Sequence, residues 1–98
     1  MHRLQESWER TTVLLRAARD ALSIDAATLR DVDEYVGHNE LGLAFDLLVD
    51  AGEQAGDAAP DAFWSSLRAA VVEMEIASDD PAHGAAAREV LRRSDRLL

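Results

Sequence analysis

The chain contains no cysteine. Disulfides, thiol catalysis and thiolate metal sites are therefore excluded, which fits a reducing compartment. It contains no lysine either, so all ten of its basic residues are arginines. Long apolar runs are missing too. The longest cover only a few residues, far short of the ~20 needed to span a bilayer. The first ten residues, MHRLQESWER, are polar and charged, without the apolar stretch of a signal peptide. The expectation is a cytoplasmic protein. No strand pattern, glycine-rich phosphate loop or nucleophile-elbow serine is visible. No catalytic residue and no cofactor are therefore expected.

What is present is enough for one domain. A chain of 98 residues buries a little over ~60% of its unfolded surface, so one core holds it without staples. The net charge is −9, and its placement says more than its size. Asp25 to Asp61 holds ten acids against one base, Arg30, and so carries nine negative charges. The rest of the chain holds nine acids and nine arginines and is neutral. Direct binding to nucleic acid or to an anionic membrane needs a basic footprint, so both are disfavoured. A cationic protein partner is favoured on the same grounds. Acidity also keeps proteins soluble, so charge alone does not decide the matter.

Helical periodicity runs through the chain. Leu4, Trp8, Thr11, Leu15, Ala18 and Leu22 share one face of a first helix. Asp25 suits the N-cap of a second, whose inner stripe is Leu29, Val32 and Val36, with Tyr35 at its edge. Gly37 is placed to end that helix by accepting positive φ. Asn39 is placed to cap a third helix, with Glu40 in its first turn, where the helix dipole favours negative charge. Leu41, Ala44, Phe45 and Leu48 then point inward. Gly42 costs helix propensity near ~1 kcal/mol, so either a neighbour packs closely there or the turn is irregular.

Gly52 to Ala59 is rich in Gly, Ala and Asp and reads as a fraying end and loop. Pro60 suits the first turn of a fourth helix. There Phe63, Leu67, Ala70, Val71 and Met74 form the buried stripe, with Trp64 beside them and open to partial exposure. Ser78 to Pro81 ends or interrupts this helix, and Pro81 suits the start of a fifth. On that one Ala87, Val90 and Leu91 line one side and Arg88, Arg92, Arg93 and Arg96 are solvated. Ser94 onward is expected to fray. The fold class is all-α: a single-domain bundle of four to five short helices, with a helix–turn–helix hairpin at about 25–57.

The chemistry-bearing residues lie on that hairpin. Asp46, Asp50, Glu53 and Asp57 recur on the outer face of the third helix as a carboxylate stripe without a compensating base. Like charges at i,i+4 destabilise a helix by about 0.2–0.5 kcal/mol each, a cost that a partner offsets. Asp31, Glu34 and His38 share a helix face, but a metal-binding bundle needs matching sets on other helices, and those are missing. No metal is expected. Tyr35 reads either as a core-edge residue with a wet hydroxyl or as an interface anchor, a role in which tyrosine is enriched.

The central residues carry a resemblance. Glu34-Tyr35-Val36, His38, Glu40, Leu41-Gly42-Leu43-Ala44, Leu47-Leu48 and Asp50, followed by Phe63-Trp64, Leu67, Ala70 and Met74, resemble the MafI-type immunity proteins of bacterial polymorphic toxin systems. The likeness covers Asp25 to Ile76, about half the chain. It implies a small acidic helical protein encoded beside a secreted toxin that it binds and neutralises. Many such toxins are nucleases with a basic surface, and that basic toxin is the expected partner. The resemblance carries no catalytic residue. The expected interface is Asp31, Glu34, Tyr35, Glu40, Asp46, Asp50 and Glu53, with Tyr35 ringed by Asp31, Glu34 and Asp46. Two other readings share the composition. One is an acidic helical adaptor or regulatory subunit for a basic protein. The other is a homodimer that buries an apolar edge at Tyr35 and Trp64.

Overall fold

A computed structural model describes residues 2–95, with side chains from Gln5 onward. Among the described residues there are five α-helices and no strand: α1 (His2–Ala21), α2 (Ala26–Gly37), α3 (Leu41–Ala55), α4 (Asp61–Met74) and α5 (Gly84–Ser94). A 3-10 turn, Gly56–Ala58, joins α3 to α4. Helices four and five are thus separate elements. No helix among the described residues is long and apolar enough to cross a membrane.

One core joins all five helices. Leu15, Val32, Phe45, Phe63, Leu67 and Val90 are buried in it, and each such side chain contributes about 1.5–3 kcal/mol by leaving water. α1 and α4 run antiparallel. The Ser7 hydroxyl donates to the Glu73 carbonyl at 3.2 Å, and Arg10 pairs with the Glu73 carboxylate at 2.7 Å. Arg68 ties the middle of α4 to the end of α5 through Ser94 at 2.9 Å and Asp95 at 2.7 Å. α2 packs on α3, and Arg19 clamps it to α1 with two hydrogen bonds to Asp33, at 2.6 and 2.8 Å.

The start of α2 follows the expected chemistry. Asp25 accepts the Thr28 N–H at 2.9 Å and the Thr28 hydroxyl at 2.8 Å. The turn after α2 does not. Gly37 is the last helical residue, and the left-handed residue is Asn39, at φ 58°. The Glu40 N–H reaches back to the Tyr35 carbonyl at 2.8 Å, and the Asn39 N–H to Val36 at 3.1 Å. This paired pattern satisfies the open carbonyls of a helix end and needs positive φ two residues beyond Gly37. Asn39 is thereby committed to closing α2 and does not cap α3. Glu40 occupies that N-cap, without a side-chain hydrogen bond.

The end of α4 repeats the device. Glu75 takes φ 55°, and the Ile76 N–H donates to the Val71 carbonyl at 3.1 Å. Pro81 lies in the connecting turns, three residues before α5 begins. α3 runs through Gly52 instead of fraying there. A Cβ at Gly52 would collide with the Phe63 ring and lie 2.8 Å from the Trp64 ring. The glycine permits close helix approach, and the run after it is helix and 3-10 turn. Ser94 is buried and accepts the Arg68 hydrogen bond, so the fold orders it. Arg96 falls outside the described residues.

The tryptophans exchange their expected places. Trp64 is 5% exposed, edge-on to Phe63 with ring centres 4.9 Å apart, and covered by the Arg93 guanidinium at 5.3 Å. Trp8 is 44% exposed. It stands where α1 meets the tail of α4 and the α2–α3 turn, and these cover only part of its ring.

Candidate partner-binding surface

The seven expected interface residues fall into two groups. Asp31 and Glu34 are exposed on α2, with Tyr35 half-buried against the core beside them. Glu40 is exposed in the following turn. Asp46, Asp50 and Glu53 lie on the α5 side of α3. There, with Ala82, Ala85 and Ala86, they line a groove of about 260 Å³.

Asp46 departs from the expectation. Its side chain is 34% exposed, and its Oδ2 lies 2.9 Å from His83 Nδ1. An ionised carboxylate only accepts, so the imidazole N–H donates. The other oxygen, Oδ1, is buried with no hydrogen-bond partner among the described residues. Burial pushes the Asp46 carboxyl above its ordinary range, and the His83 hydrogen bond only partly opposes this. Asp46 is therefore half-buried and tied to α5 through His83, and is not available as a free carboxylate beside Tyr35. The stripe on α3 also has a basic group against it after all, in His83.

His83 was not legible as a site residue. It lies 37 positions from Asp46 in sequence. The only local trace was Gly42, whose missing side chain leaves room for the imidazole. A Cβ there would lie 2.6 Å from His83 Nε2. Close packing is thus the reason for Gly42.

The remaining charges sort cleanly. Arg10, Arg19, Arg68, Arg92 and Arg93 pair with Glu73, Asp20 and Asp33, Asp95, and Glu89. Arg88 donates to the Ser78 carbonyl. The Arg10 and Ser7 hydrogen bonds hold the Glu73 carboxyl below its usual range, and Arg92 and Arg93 do the same for Glu89. Among the described residues, Asp31, Glu34, Glu40, Asp50 and Glu53 make no ion pair. Six arginines are thus held by contacts within the fold, Arg16 and Arg30 are exposed without an ion pair among the described residues, and the central carboxylates face outward with Arg30 as the one base on their stretch of chain.

Among the described residues, no group of three or more His, Asp or Glu side chains is arranged to hold a metal ion. Asp31, Glu34 and His38 do not converge on one. Among the described residues, the exposed large apolar side chains are Trp8, Val13, Leu43 and Val72. Trp64 is not among them, so an apolar edge joining Tyr35 to Trp64 does not exist. No family model matches this chain, and neither a curated protein nor a solved structure matches it.

Proposed function

We propose that the protein is a non-enzymatic immunity protein that captures a basic protein toxin, a nuclease in the first instance, and blocks its active site or substrate-binding surface. The observation that carries this reading is the set of exposed carboxylates Asp31, Glu34, Glu40, Asp50 and Glu53, which make no ion pair among the described residues. The resemblance of the central residues to MafI-type immunity proteins supports it. A nuclease holds phosphate with a basic surface, and a carboxylate surface meets it with opposite charge. Steering of this kind raises association toward ~10⁸–10⁹ M⁻¹s⁻¹ at low salt. Speed is useful to an inhibitor that must act before the toxin does. Tyr35 is the proposed apolar anchor at the rim of α2.

Co-expression with the toxin encoded by the neighbouring gene tests the reading. Cells carrying this protein survive, and cells carrying an Asp50→Lys, Glu53→Lys variant with an unchanged helical spectrum do not. Survival without this protein, or equal survival with both forms, removes the reading. An acidic adaptor for another basic protein shares the carboxylates but rescues no poisoned cell.

A further inference from the structure

Resting on the immunity reading, we infer that the cleft at the α2–α3 turn end of the bundle is the socket for an arginine side chain from a loop of the basic partner. The cleft holds about 420 Å³ and is walled by Trp8, Leu41, Met74 and Ile76, with Gly42 and His83 at its base. Glu73, Glu75 and Asp80 also line it, and among the described residues no arginine does. Glu73 is already paired with Arg10. Asp80 turns one oxygen to the N–H groups of Ala82 and His83, at 2.9 and 2.7 Å. Glu75 is exposed and makes no ion pair among the described residues.

Two observations converge here. The first is Trp8, the one aromatic among the exposed large apolar side chains, at a position where helical spacing alone calls for core. Local rules are most often broken at functional sites. The second is charge complementarity. The cleft shared by the free Glu75 carboxylate and the 44% exposed Trp8 suits a guanidinium, which stacks on an indole and donates to an acid. A tryptophan–arginine contact in a walled cleft is also the type of anchor that concentrates binding energy at an interface.

NMR titration of the full chain tests this directly, using the peptides acetyl-Gly-Arg-Gly-amide and acetyl-Gly-Gln-Gly-amide. The arginine peptide shifts the Trp8 indole N–H and the Ile76 amide saturably at millimolar concentration and leaves the buried Trp64 indole unmoved. The glutamine peptide moves neither. Glu75→Gln weakens the arginine peptide several-fold, and Trp8→Phe weakens it less than Trp8→Ala. Equal shifts with both peptides, or arginine shifts confined to Asp50 and Glu53, overturn the socket. Trp8 shifts that grow with protein concentration alone overturn it in favour of a second copy. The two readings also fail separately. Rescue unaffected by Trp8→Ala refutes the socket and keeps immunity. Saturable peptide binding without any toxin binding keeps the socket and refutes immunity.

Discussion

The imidazole of His83 fills the space that a side chain on Gly42 would need, with Nε2 only 2.6 Å from the position of a Cβ. Through Nδ1 the same ring is held by Asp46, one turn further along α3. The start of α5 is thus seated on α3 by a missing side chain and a hydrogen bond. Gly42→Ala gains helix propensity of about 1 kcal/mol and loses about 1–3 kcal/mol to overpacking. Urea unfolding should show net destabilisation, with the His83 ring resonances displaced. A more stable Gly42→Ala would show that the ring moves away freely.

Asp46 has an unusual sign among the acids. Its folded-state pKa is raised by burial, so the native state holds its proton longer than the unfolded chain does. Its contribution is fully present below the unfolded pKa and is lost as pH rises through the folded value. Glu73 and Glu89 have lowered values, so theirs is present above the unfolded pKa and lost as pH falls. Asp46→Asn keeps an acceptor for His83 and removes the charge. The stability of the variant relative to wild type should therefore rise as pH climbs from the ordinary aspartate range through the raised folded value, where the wild-type carboxyl ionises. Thermal unfolding across that range checks it, and a difference that falls with pH contradicts it.

The glycines and the left-handed residues separate two roles. No atom lies within 4 Å of a Cβ at Gly37, which is helical. Gly37→Ala should stabilise by up to ~1 kcal/mol. Gly52→Ala should destabilise by ~1–3 kcal/mol or more, since the Phe63 and Trp64 rings block the added carbon. Chemical denaturation of the pair gives opposite signs. Equal signs would mean that the α3–α4 contact adjusts.

Glu75→Gly should raise the melting temperature, because glycine adopts φ 55° without the Cβ penalty of about 1–2 kcal/mol. Part of that gain is offset by the greater freedom of glycine in the unfolded chain. Asn39→Gly should gain less, since asparagine tolerates this conformation better than glutamate. A larger gain at residue 39 than at residue 75 would contradict the assignment of strain.

The bundle was legible because its stripes are amphipathic and local. Asp25 with Thr28, Val32 with Val36, and Leu41 through Leu48 are read from spacing alone and hold. What escaped depends on long-range packing. Periodicity places Trp8 and Trp64 on inner faces, but it does not say which stretch of each face is covered. Gly37 drew the helix end toward itself, while the turn used Asn39, because carbonyl pairing sets where positive φ falls. Gly52 reads as a breaker until Phe63 and Trp64 are seen against it. The acidic stripe reads as wholly solvated until α5 brings His83 to Asp46. The exposed carboxylates on α2 and at Asp50 and Glu53 stand where spacing put them.

That last set carries the functional account, and it separates the useful charge reversals from the misleading ones. Charge reversal at Asp46 breaks the His83 pair and confounds folding with binding. Asp50 and Glu53 have no ion pair among the described residues to lose, but Asp50 acts on Asp46 and Glu53 on Arg92 through space, so their reversal reports on the partner when the unfolding midpoint of the variant is unchanged.

The most direct measurement is calorimetric binding of this protein to the C-terminal domain of the protein encoded by the adjacent gene, at low and moderate salt. The account predicts nanomolar or tighter binding that weakens as salt rises. It also predicts that Asp50→Lys, Glu53→Lys binds at least about tenfold more weakly at low salt. Binding that ignores both salt and the charge reversals, or no binding at either salt, contradicts it.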